Sequence, residues 1–412
     1  MLNRLIVFLL LGCFAFVVDA QKPISHGQTS TINHNLNEQF DTYTIFKFDT
    51  KEILDQRKDG QQGFLTSFDI GSTYAWNLAL EPSQVKADNY RLTIAAEYGE
   101  RVGFTSPDIH TFSGIVTGTE NQVRLTIMED FLYGYIEQGN DAIFIEPLRY
   151  FEDGVAEDLF VAYPASAVKQ NAPLKCGVTE MHFRGDLLKK QHTQSSSRMP
   201  GNCFELEIAY ANDFLMYQSY GSVAAVEAHN TAVLNNVQGN YDNEFSDEIQ
   251  FLIVEIFVPT SSGADPFTTS TDSGVLLNDF TSWGPTGFSA THDVGALWSD
   301  RDFNGGTIGL AWLSAVCTSI RYHILQDFST NAQFLRVLHA HEMGHNLSFT
   351  HDASGSNTIM APSVNSATTW STQSQNQFDA YIPTIDPPNG CLSFCPPPVP
   401  PVALFTPDNN VV

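Results

Sequence analysis

The sequence predicts an α/β protein of two ordinary-sized domains, the first rich in β-strands and the second built around a long helix. A length of 412 residues is sufficient for two such domains. Residues 21–170 contain short runs in which polar and apolar side chains alternate, as in half-buried strands. Residues 329–345 instead place apolar side chains at helical spacing behind candidate N-caps.

The alternating runs of the first region are separated by turn residues, which favours several short strands rather than one long element. The clearest runs are 90–96, 112–118, 122–127 and 142–148. On their own they are compatible with a free-standing β-sandwich that binds another molecule. We therefore expect a β-rich domain within residues 21–198.

The two ends and the middle of the chain have compositions unlike a packed domain. Residues 5–18 form an apolar run after Arg4, and residues 1–20 are predicted to be a signal peptide cleaved after Ala20. Residues 187–200 are polar and lack an apolar period, which indicates an exposed linker with Lys190 and Arg198 as candidate cleavage sites. Residues 396–401 are proline-rich, typical of a stiff spacer, and 402–406 resemble the first strand of a polycystic-kidney-disease-type module.

The strongly acidic composition restricts the partners. The net charge is −26, with only 20 Lys and Arg against 46 Asp and Glu. This argues against nucleic acid and anionic membranes as partners. After residue 20 no apolar run approaches the length of a membrane span, so we expect an exported protein that is not inserted in a membrane.

A run of twelve residues, 341–352, carries the chemistry of a metal site. His341 and His345 are four residues apart, so a helix would project both imidazoles from one face toward one ion. His351 follows after a helix-ending turn and can supply a third nitrogen, which leaves an open position as catalytic zinc requires. Glu342 is not needed as a ligand and is free to act as a general base toward water.

The residues upstream of this run support the helix. Phe334 and Leu338 fall on the same stripe as the first two histidines. Candidate N-caps precede them: Ser329, Thr330 and Asn331.

These residues resemble the metzincin signature, HExxHxxGxxH followed by a methionine turn. Asp352, directly after the third histidine, resembles the adamalysin/reprolysin (ADAM-type) branch of metzincins. Met360 would form the hydrophobic floor under the zinc, and Asp352 would orient the helix end or a ligand. Ser348 departs from the pattern because it replaces the usual glycine; at a position with φ > 0 it costs about 1 kcal/mol.

The resemblance extends over most of residues 200–395. Residues 302–312 are similar to the family's segment leading into its edge strand, which pairs with the substrate backbone. Residues 204–213 look like its first strand. The resemblance implies a zinc metalloprotease domain at 199–395, with a mixed, mainly parallel five-stranded sheet and an active-site helix.

The cysteines divide into a paired set and an odd one. Four lie in the protease region, an even number suited to two disulfides in an oxidising compartment, and spacing does not fix their connectivity. The family resemblance implies that Cys317 pairs with Cys391 or Cys395, with Cys203 taking the other. Cys176 remains unpaired.

The odd cysteine stands in a segment that resembles the cysteine switch of ADAM propeptides, Lys175-Cys176-Gly177-Val178-Thr179. A thiolate is a good fourth zinc ligand and would displace the water that hydrolysis needs. The alternative is a free thiol in a connecting segment. The order of the preceding strands is similar to reprolysin propeptides, so we interpret 21–198 as an inhibitory propeptide.

A second cation site is also predicted. Glu207 and Asp293 match positions where adamalysins place calcium ligands, and Asn389 and a carbonyl of the C-terminal cysteine region are further candidates. Oxygen ligands suit calcium, but solvated acids on an acidic surface are an equally good interpretation. Six other histidines lack ligand spacing and are interpreted as surface or ordinary core residues: His182, His192, His229, His292, His323 and His339.

The leading hypothesis is a secreted, monomeric zinc endopeptidase made as a latent zymogen, acting on proteins or peptides. A catalytically silent binding or adhesion module of the same fold is the alternative. Such modules usually lose the glutamate or a ligand, whereas this sequence keeps all four residues. A zinc hydrolase of sugars or another polymer is a third possibility that ligands alone do not separate.

Overall fold

A computed structural model describes most of the chain between residues 27 and 397. The described ranges are 27–29, 35–57, 63–71, 73–97, 101–104 (backbone only), 106–169, 174–178, 201–387 and 390–397. The predicted signal peptide, the candidate cleavage sites Lys190 and Arg198, Asn389, and residues 402–406 lie outside them. No helix in the described ranges is long and apolar enough to span a membrane.

An antiparallel sheet of nine strands fills most of the N-terminal region. Its spatial order is β1-β2-β11-β10-β9-β8-β7-β4-β3. The strands are β1 (Gln28–Thr29), β2 (Thr44–Lys47), β3 (Phe64–Ile70), β4 (Tyr74–Pro82), β7 (His110–Val116), β8 (Gln122–Met128), β9 (Phe131–Gln138), β10 (Asp141–Pro147) and β11 (Leu159–Pro164), with the short helix α1 (Lys51–Leu54) after β2. Three of the four runs predicted from alternation are strands of this sheet.

The fourth predicted run forms a strand of a different sheet. β5 (Lys86–Ala95) and β6 (Arg101–Phe104) do not belong to the antiparallel sheet but to the sheet of the C-terminal region. β5 pairs in parallel with β14 (Glu248–Pro259). The boundary expected near residue 198 therefore does not separate the two sheets.

The second sheet is mixed and has nine strands. Its order is β12-β16-β17-β15-β13-β14-β5-β6, with β18 also paired to β13. The strands not yet placed are β12 (Lys175–Cys176), β13 (Cys203–Asn212), β15 (Val294–Ser299), β16 (Thr307–Ala311), β17 (Tyr322–Gln326) and β18 (Ser393–Phe394). Five strands, β13 to β17, come from residues 203–326; the sheet is larger than the five strands expected because upstream segments extend both edges and β18 adds to β13.

Four long helices and one short helix pack on this sheet. They are α2 (Phe214–Tyr220), α3 (Val223–Tyr241), α4 (Ser273–Gly287), α5 (Ala332–Asn346) and α6 (Thr372–Ile385). A side-chain cap starts each of them, since Asp213, Ser222, Asp272, Asn331 and Ser371 accept a backbone N–H of the first turn.

The hydrophobic core runs continuously from one region into the other. One buried cluster joins Tyr135, Phe144 and Tyr163 of the antiparallel sheet to Val237 of α3 and Leu338 of α5. A second lies within the antiparallel sheet, and a third fills the α4 side of the mixed sheet. α3 is enclosed between the two sheets, with 15 of its 19 residues buried.

Candidate metal centre and active site

Helix α5, which carries His341 and His345 and is called the metal-site helix below, forms as the sequence predicts and ends in a strained turn. The Asn331 side chain accepts from the N–H groups of Gln333 and Phe334, at 3.0 and 3.4 Å. At the other end Ser348 adopts φ +81°, the left-handed conformation that glycine normally supplies. Its N–H donates to the carbonyl of His345 at 2.9 Å, which closes the turn.

The serine hydroxyl has a partner in this turn. Ser348 Oγ lies 2.8 Å from the Oγ of Ser314, a residue that also has a positive φ. Ser314 N–H donates to the carbonyl of His345 at 2.9 Å. The substitution for glycine is therefore accommodated, with a hydroxyl bond that offsets part of the conformational cost.

The three predicted ligands converge. His351 Nε2 lies 3.2 Å from His345 Nε2 and 3.2 Å from His341 Nε2. His341 Nδ1 donates to the carbonyl of Ile359 and His345 Nδ1 to that of Phe349, each at 2.7 Å. These two bonds fix the tautomers that leave the Nε2 lone pairs free, so the donor set fits a zinc ion.

The electrostatic environment also favours neutral imidazoles. Burial, reinforced by the charge of His351, lowers the pKa of His341 to about 3. Burial and the neighbouring histidines lower the pKa of His345 as well, and burial lowers that of half-buried His351. Neutral imidazole is the form that binds metals.

Glu342 lies between the histidines and the edge strand. Its side chain is fully buried, and burial raises its pKa to about 8. A Cβ atom at Gly309, on β16, would lie 2.4 Å from Glu342 Oε1. Only glycine therefore lets the edge strand approach the carboxyl group this closely.

Residues 174–178 occupy the cleft beside this centre. The Cys176 Sγ lies 3.4 Å from His345 Nε2, and the N–H of Val178 donates to it at 3.3 Å. The thiol and the three imidazoles form a four-membered cluster with ligand atoms within 4.8 Å of one another. Burial raises the pKa of the Cys176 thiol, and the nearby charge of Glu342 raises it further.

Backbone bonds hold this segment on both sides of the cleft. β12 pairs in parallel with β16, and the N–H of Gly177 donates to the Gly309 carbonyl at 2.8 Å. On the opposite wall, the Cys176 N–H donates to the Pro362 carbonyl at 3.3 Å, and the Val364 N–H to that of Leu174 at 3.1 Å. The cleft thus accepts an extended backbone as a strand between two walls.

Comparisons with known proteins identify the C-terminal region. Residues 203–382 match the reprolysin description of metallo-peptidase family M12. This region is a reprolysin-type metzincin domain. The zinc metalloproteinase-disintegrin-like protein BfMP of Bungarus fasciatus is 27% identical over an alignment of 280 residues, and the match covers 65% of this chain and 45% of that protein. The chain therefore matches less than half the length of that relative.

A solved structure, metalloproteinase-II from Bacteroides fragilis, is similar at 12% identity. The match covers 81% of this chain and 96% of the other, with a TM-score of 0.48.

Met360 and Asp352 occupy supporting positions in the reprolysin-type domain. Met360 is fully buried, and its sulfur would lie 2.8 Å from a Cβ atom on Gly344 of the metal-site helix. Asp352 accepts from Thr358 Oγ1 at 2.5 Å and Ser371 Oγ at 2.6 Å, while its N–H donates to the Met360 carbonyl at 2.9 Å. Asp352 thus ties the third-histidine segment to the methionine turn and to the start of α6.

Both disulfides of the reprolysin-type domain match the expected alternatives. Cys317 is bonded to Cys391 and Cys203 to Cys395. These bonds tie β13, the first strand of the domain, and the segment after β16 to the C-terminal end of the domain. Cys176 is the free cysteine of the described residues.

The two calcium candidates are adjacent. Glu207 N–H donates to Asp293 Oδ2 at 2.8 Å, and Asp293 N–H donates back to the Glu207 carbonyl at 2.9 Å. Burial raises the pKa of Asp293 to about 7, and the Glu207 charge adds to the shift. The Asp293 carboxylate also lies within 4.8 Å of the Cys317 and Cys391 sulfurs.

Four of the six other histidines considered in the sequence analysis are core residues. His229, His292, His323 and His339 are buried, and burial lowers the pKa of each. His323 Nδ1 lies 2.6 Å from Asn346 Oδ1, next to the metal-site helix. His182 and His192 lie outside the described residues.

Sequence reasoning missed residues that shape the cleft through their backbone. Gly309, Ile359, Phe349 and Pro362 act through a missing Cβ atom or a carbonyl. The type of a residue does not indicate whether its backbone carbonyl will act as an acceptor. Among these four residues only Gly309 could have been noticed, because a glycine within an apolar strand indicates a close approach of another group.

Proposed function

We propose that this chain is a secreted zinc-dependent endopeptidase made in a latent form. The observation that carries the proposal is the cluster of three imidazole Nε2 atoms beside a buried glutamate, at the floor of a cleft that already holds an extended chain. Membership of the reprolysin-type metzincins supports zinc as the metal and proteins as substrates.

The binding part of the mechanism falls to the edge strand and the opposite wall. The Gly309 carbonyl accepts the N–H of Gly177 and the Pro362 carbonyl accepts that of Cys176, and a substrate backbone would use the same acceptors. The missing side chain of Gly309 lets that backbone lie against Glu342. A peptide bond is thereby placed next to the general base.

The proton transfers fall to Glu342. A zinc ion held by His341, His345 and His351 would polarise the scissile carbonyl and acidify a water molecule. Glu342 accepts the proton of the attacking water and passes it to the leaving amine. A pKa raised by burial toward neutrality suits a group that must both take and give a proton.

Latency is assigned to Cys176. Its sulfur lies against the imidazole cluster, where a thiolate would take the position that water needs. The β12 backbone occupies the acceptors that a substrate would use. A cut in the predicted linker, near Lys190 or Arg198, is the first step that this segment needs before it can leave the cleft.

Export is supported by the two disulfides, which persist in oxidising compartments, and by the predicted signal peptide. Calcium at Glu207 and Asp293 is proposed as a structural site, because the buried Asp293 carboxylate lies against the Glu207 backbone and within the influence of the Glu207 charge, and oxygen ligands of this kind suit a hard cation. A monomer without nucleic-acid partners remains our expectation.

Glu342→Ala tests the proposal. After the linker is cut and the N-terminal fragment is removed, the wild-type protein should digest casein, and the variant should bind zinc equally but lose about 10²–10⁴-fold in rate. Glu244→Ala, which removes a partly exposed carboxylate in the loop between α3 and β14, is the matched control. A wild-type protein that binds zinc but cleaves no peptide would favour the silent binding module. Cleavage of polysaccharide but not casein would favour the non-peptide hydrolase.

A further inference from the structure

The N-terminal region contacts the reprolysin-type domain at a second place, far from the cleft. β5 lies against the edge of the mixed sheet opposite β12, and it pairs with β14 from Glu255↔Arg91 to Pro259↔Ala95. Backbone bonds of 2.7 and 2.9 Å continue the pairing on either side, from Ile253 N–H to the Val85 carbonyl and from Thr260 N–H to that of Ala95. The protease sheet thus gains a strand from the propeptide region.

A buried carboxylate of the protease domain is satisfied from this strand. Glu227 on α3 has no exposed surface, and its Oε1 accepts from Lys86 Nζ at 2.5 Å and Tyr90 Oη at 2.8 Å. Ser106 Oγ donates to the same oxygen. All three donors belong to the N-terminal region, so the pairing of this buried charge depends on that region.

A second ion pair and an amide anchor the C-terminal half of α3 and its cap. Arg124 of β8 pairs with Asp242, and burial leaves the arginine side chain only 9% exposed. Asn235 Nδ2 donates to the Leu125 carbonyl at 3.1 Å. At Gly239 a Cβ atom would lie 2.1 Å from Tyr135 Oη, so the absence of a side chain lets the α3 backbone contact the tyrosine of the antiparallel sheet directly.

The start of the metal-site helix is also covered by the N-terminal region. Glu146 Oε1, fully buried on β10, accepts the N–H of Ala332 at 2.9 Å, so a carboxyl group satisfies a free N–H at the start of this helix. Arg336, 2% exposed, lies over the rings of Tyr135 and Phe144 at 5.4 and 5.2 Å. The contact surface therefore combines strand pairing, buried charges and aromatic packing.

The charges across this surface are complementary. Residues 201–397 contain twenty Asp and Glu but no Lys and only three Arg. Arg336 is one of the three, and it lies over the rings of the N-terminal region. The N-terminal region supplies the cations that meet Glu227 and Asp242.

We propose that the N-terminal region stays bound to the reprolysin-type domain after the linker is cut, as a separate non-covalent inhibitory subunit. The proposal rests on the proposed latent protease. While β5, β8 and β10 remain docked, residues 174–178 stay tethered beside the cleft at high effective concentration. Onset of activity therefore follows separation of the two chains, or a second cut before Cys176, rather than the linker cut itself.

The test places a recognition sequence for a specific protease at residues 193–197 of the full-length protein and cuts it under native conditions. The two fragments should co-elute in size exclusion at micromolar concentration. Activity should then rise with a lag that shortens on dilution and in high salt, which screens the ion pairs. Immediate separation of the fragments at moderate salt, with no lag, would overturn the proposal.

Matched variants identify the surface that holds the fragments together. Arg124→Ala or Lys86→Ala should speed separation at least about tenfold, since truncating one partner of a buried charge pair acts mainly on dissociation. Lys47→Ala, which breaks the exposed Lys47–Asp158 pair within the N-terminal region, should leave it unchanged. Equal effects in all three variants would count against the assigned surface.

A charge swap guards against a general folding defect. Arg124→Asp alone should separate quickly, and adding Asp242→Arg should restore co-elution; failure of the rescue in a folded double variant would contradict the pairing. Co-elution is measured without reference to activity. If the cut fragments co-elute but the C-terminal domain is inactive even after they have been separated, the proposed protease activity alone is wrong. If the C-terminal domain separates at once and is active, the retention of the N-terminal fragment alone is wrong.

Discussion

Removal of the Asp352 carboxylate should loosen His351, the third proposed zinc ligand, and destabilise the domain. In Asp352→Ala two hydrogen bonds to an acidic acceptor disappear, from Thr358 and Ser371. At about 1.5 kcal/mol each, reduced for partial exposure, the loss is about 2–3 kcal/mol. For a domain of this size that corresponds to roughly 5–10 °C in Tm.

Zinc affinity should fall as well. Asp352 follows His351 directly and joins it to the methionine turn, so the third imidazole loses its support. We expect about tenfold weaker zinc binding, the lower end of the usual effect of losing a group that positions ligands. Thermal unfolding and zinc competition with a chromophoric chelator measure the two quantities separately.

The controls isolate the carboxylate. Asp302→Ala removes an exposed aspartate and should change neither quantity by more than about 0.5 kcal/mol. Thr358→Val together with Asp352→Ala should cost less than the sum of the single changes, because both remove the same bond. Strict additivity, or unaltered zinc binding in Asp352→Ala, would refute the reasoning.

Three further predictions concern the thiol, the second cation site and a disulfide. Uncut Cys176→Ser should cleave peptide faster than the uncut wild type, because a hydroxyl is a poorer zinc ligand; equal rates would count against the thiol's role. Because the folded-state pKa of Asp293 is raised to about 7, its ionisation costs stability as pH rises from about 4 to 7. Calcium should therefore raise Tm clearly at pH 8 and little at pH 5, and not at all in Glu207→Gln; no response at pH 8 would argue against the site. Replacing Cys317 and Cys391 together by Ser should lower the free energy of unfolding by up to about 4 kcal/mol, since the bond closes a loop of sequence separation 74; an unchanged denaturation midpoint would contradict this.

The convergence of the three histidines was predictable because its information is local. Two histidines four residues apart must share a helix face, and an N-cap of Asn331 fixes where that helix begins. His351 follows within six residues, so little conformational freedom separates it from the other ligands. Cys176 is distant in sequence but was indicated by the odd count of cysteines outside the signal peptide.

The extent of the mixed sheet was not predictable because strand partners are set by distant residues. Alternation in residues 90–96 indicates a strand but does not say which sheet it joins. β5 pairs with residues more than 160 positions away, and Lys86 meets Glu227 only through that pairing. The buried contacts of Glu146 and Arg336 were missed for the same reason, since single charged residues usually indicate exposed surface.

The zinc-edge X-ray absorption spectrum of the intact, zinc-loaded protein tests the central claim most directly. We predict a first shell of three imidazole nitrogens and one sulfur in the wild type, and loss of the sulfur in Cys176→Ser. Separation of the cut fragments should likewise replace sulfur by oxygen in the wild-type spectrum. A wild-type spectrum without sulfur and identical to that of Cys176→Ser, or one with fewer than three nitrogens, would contradict the account.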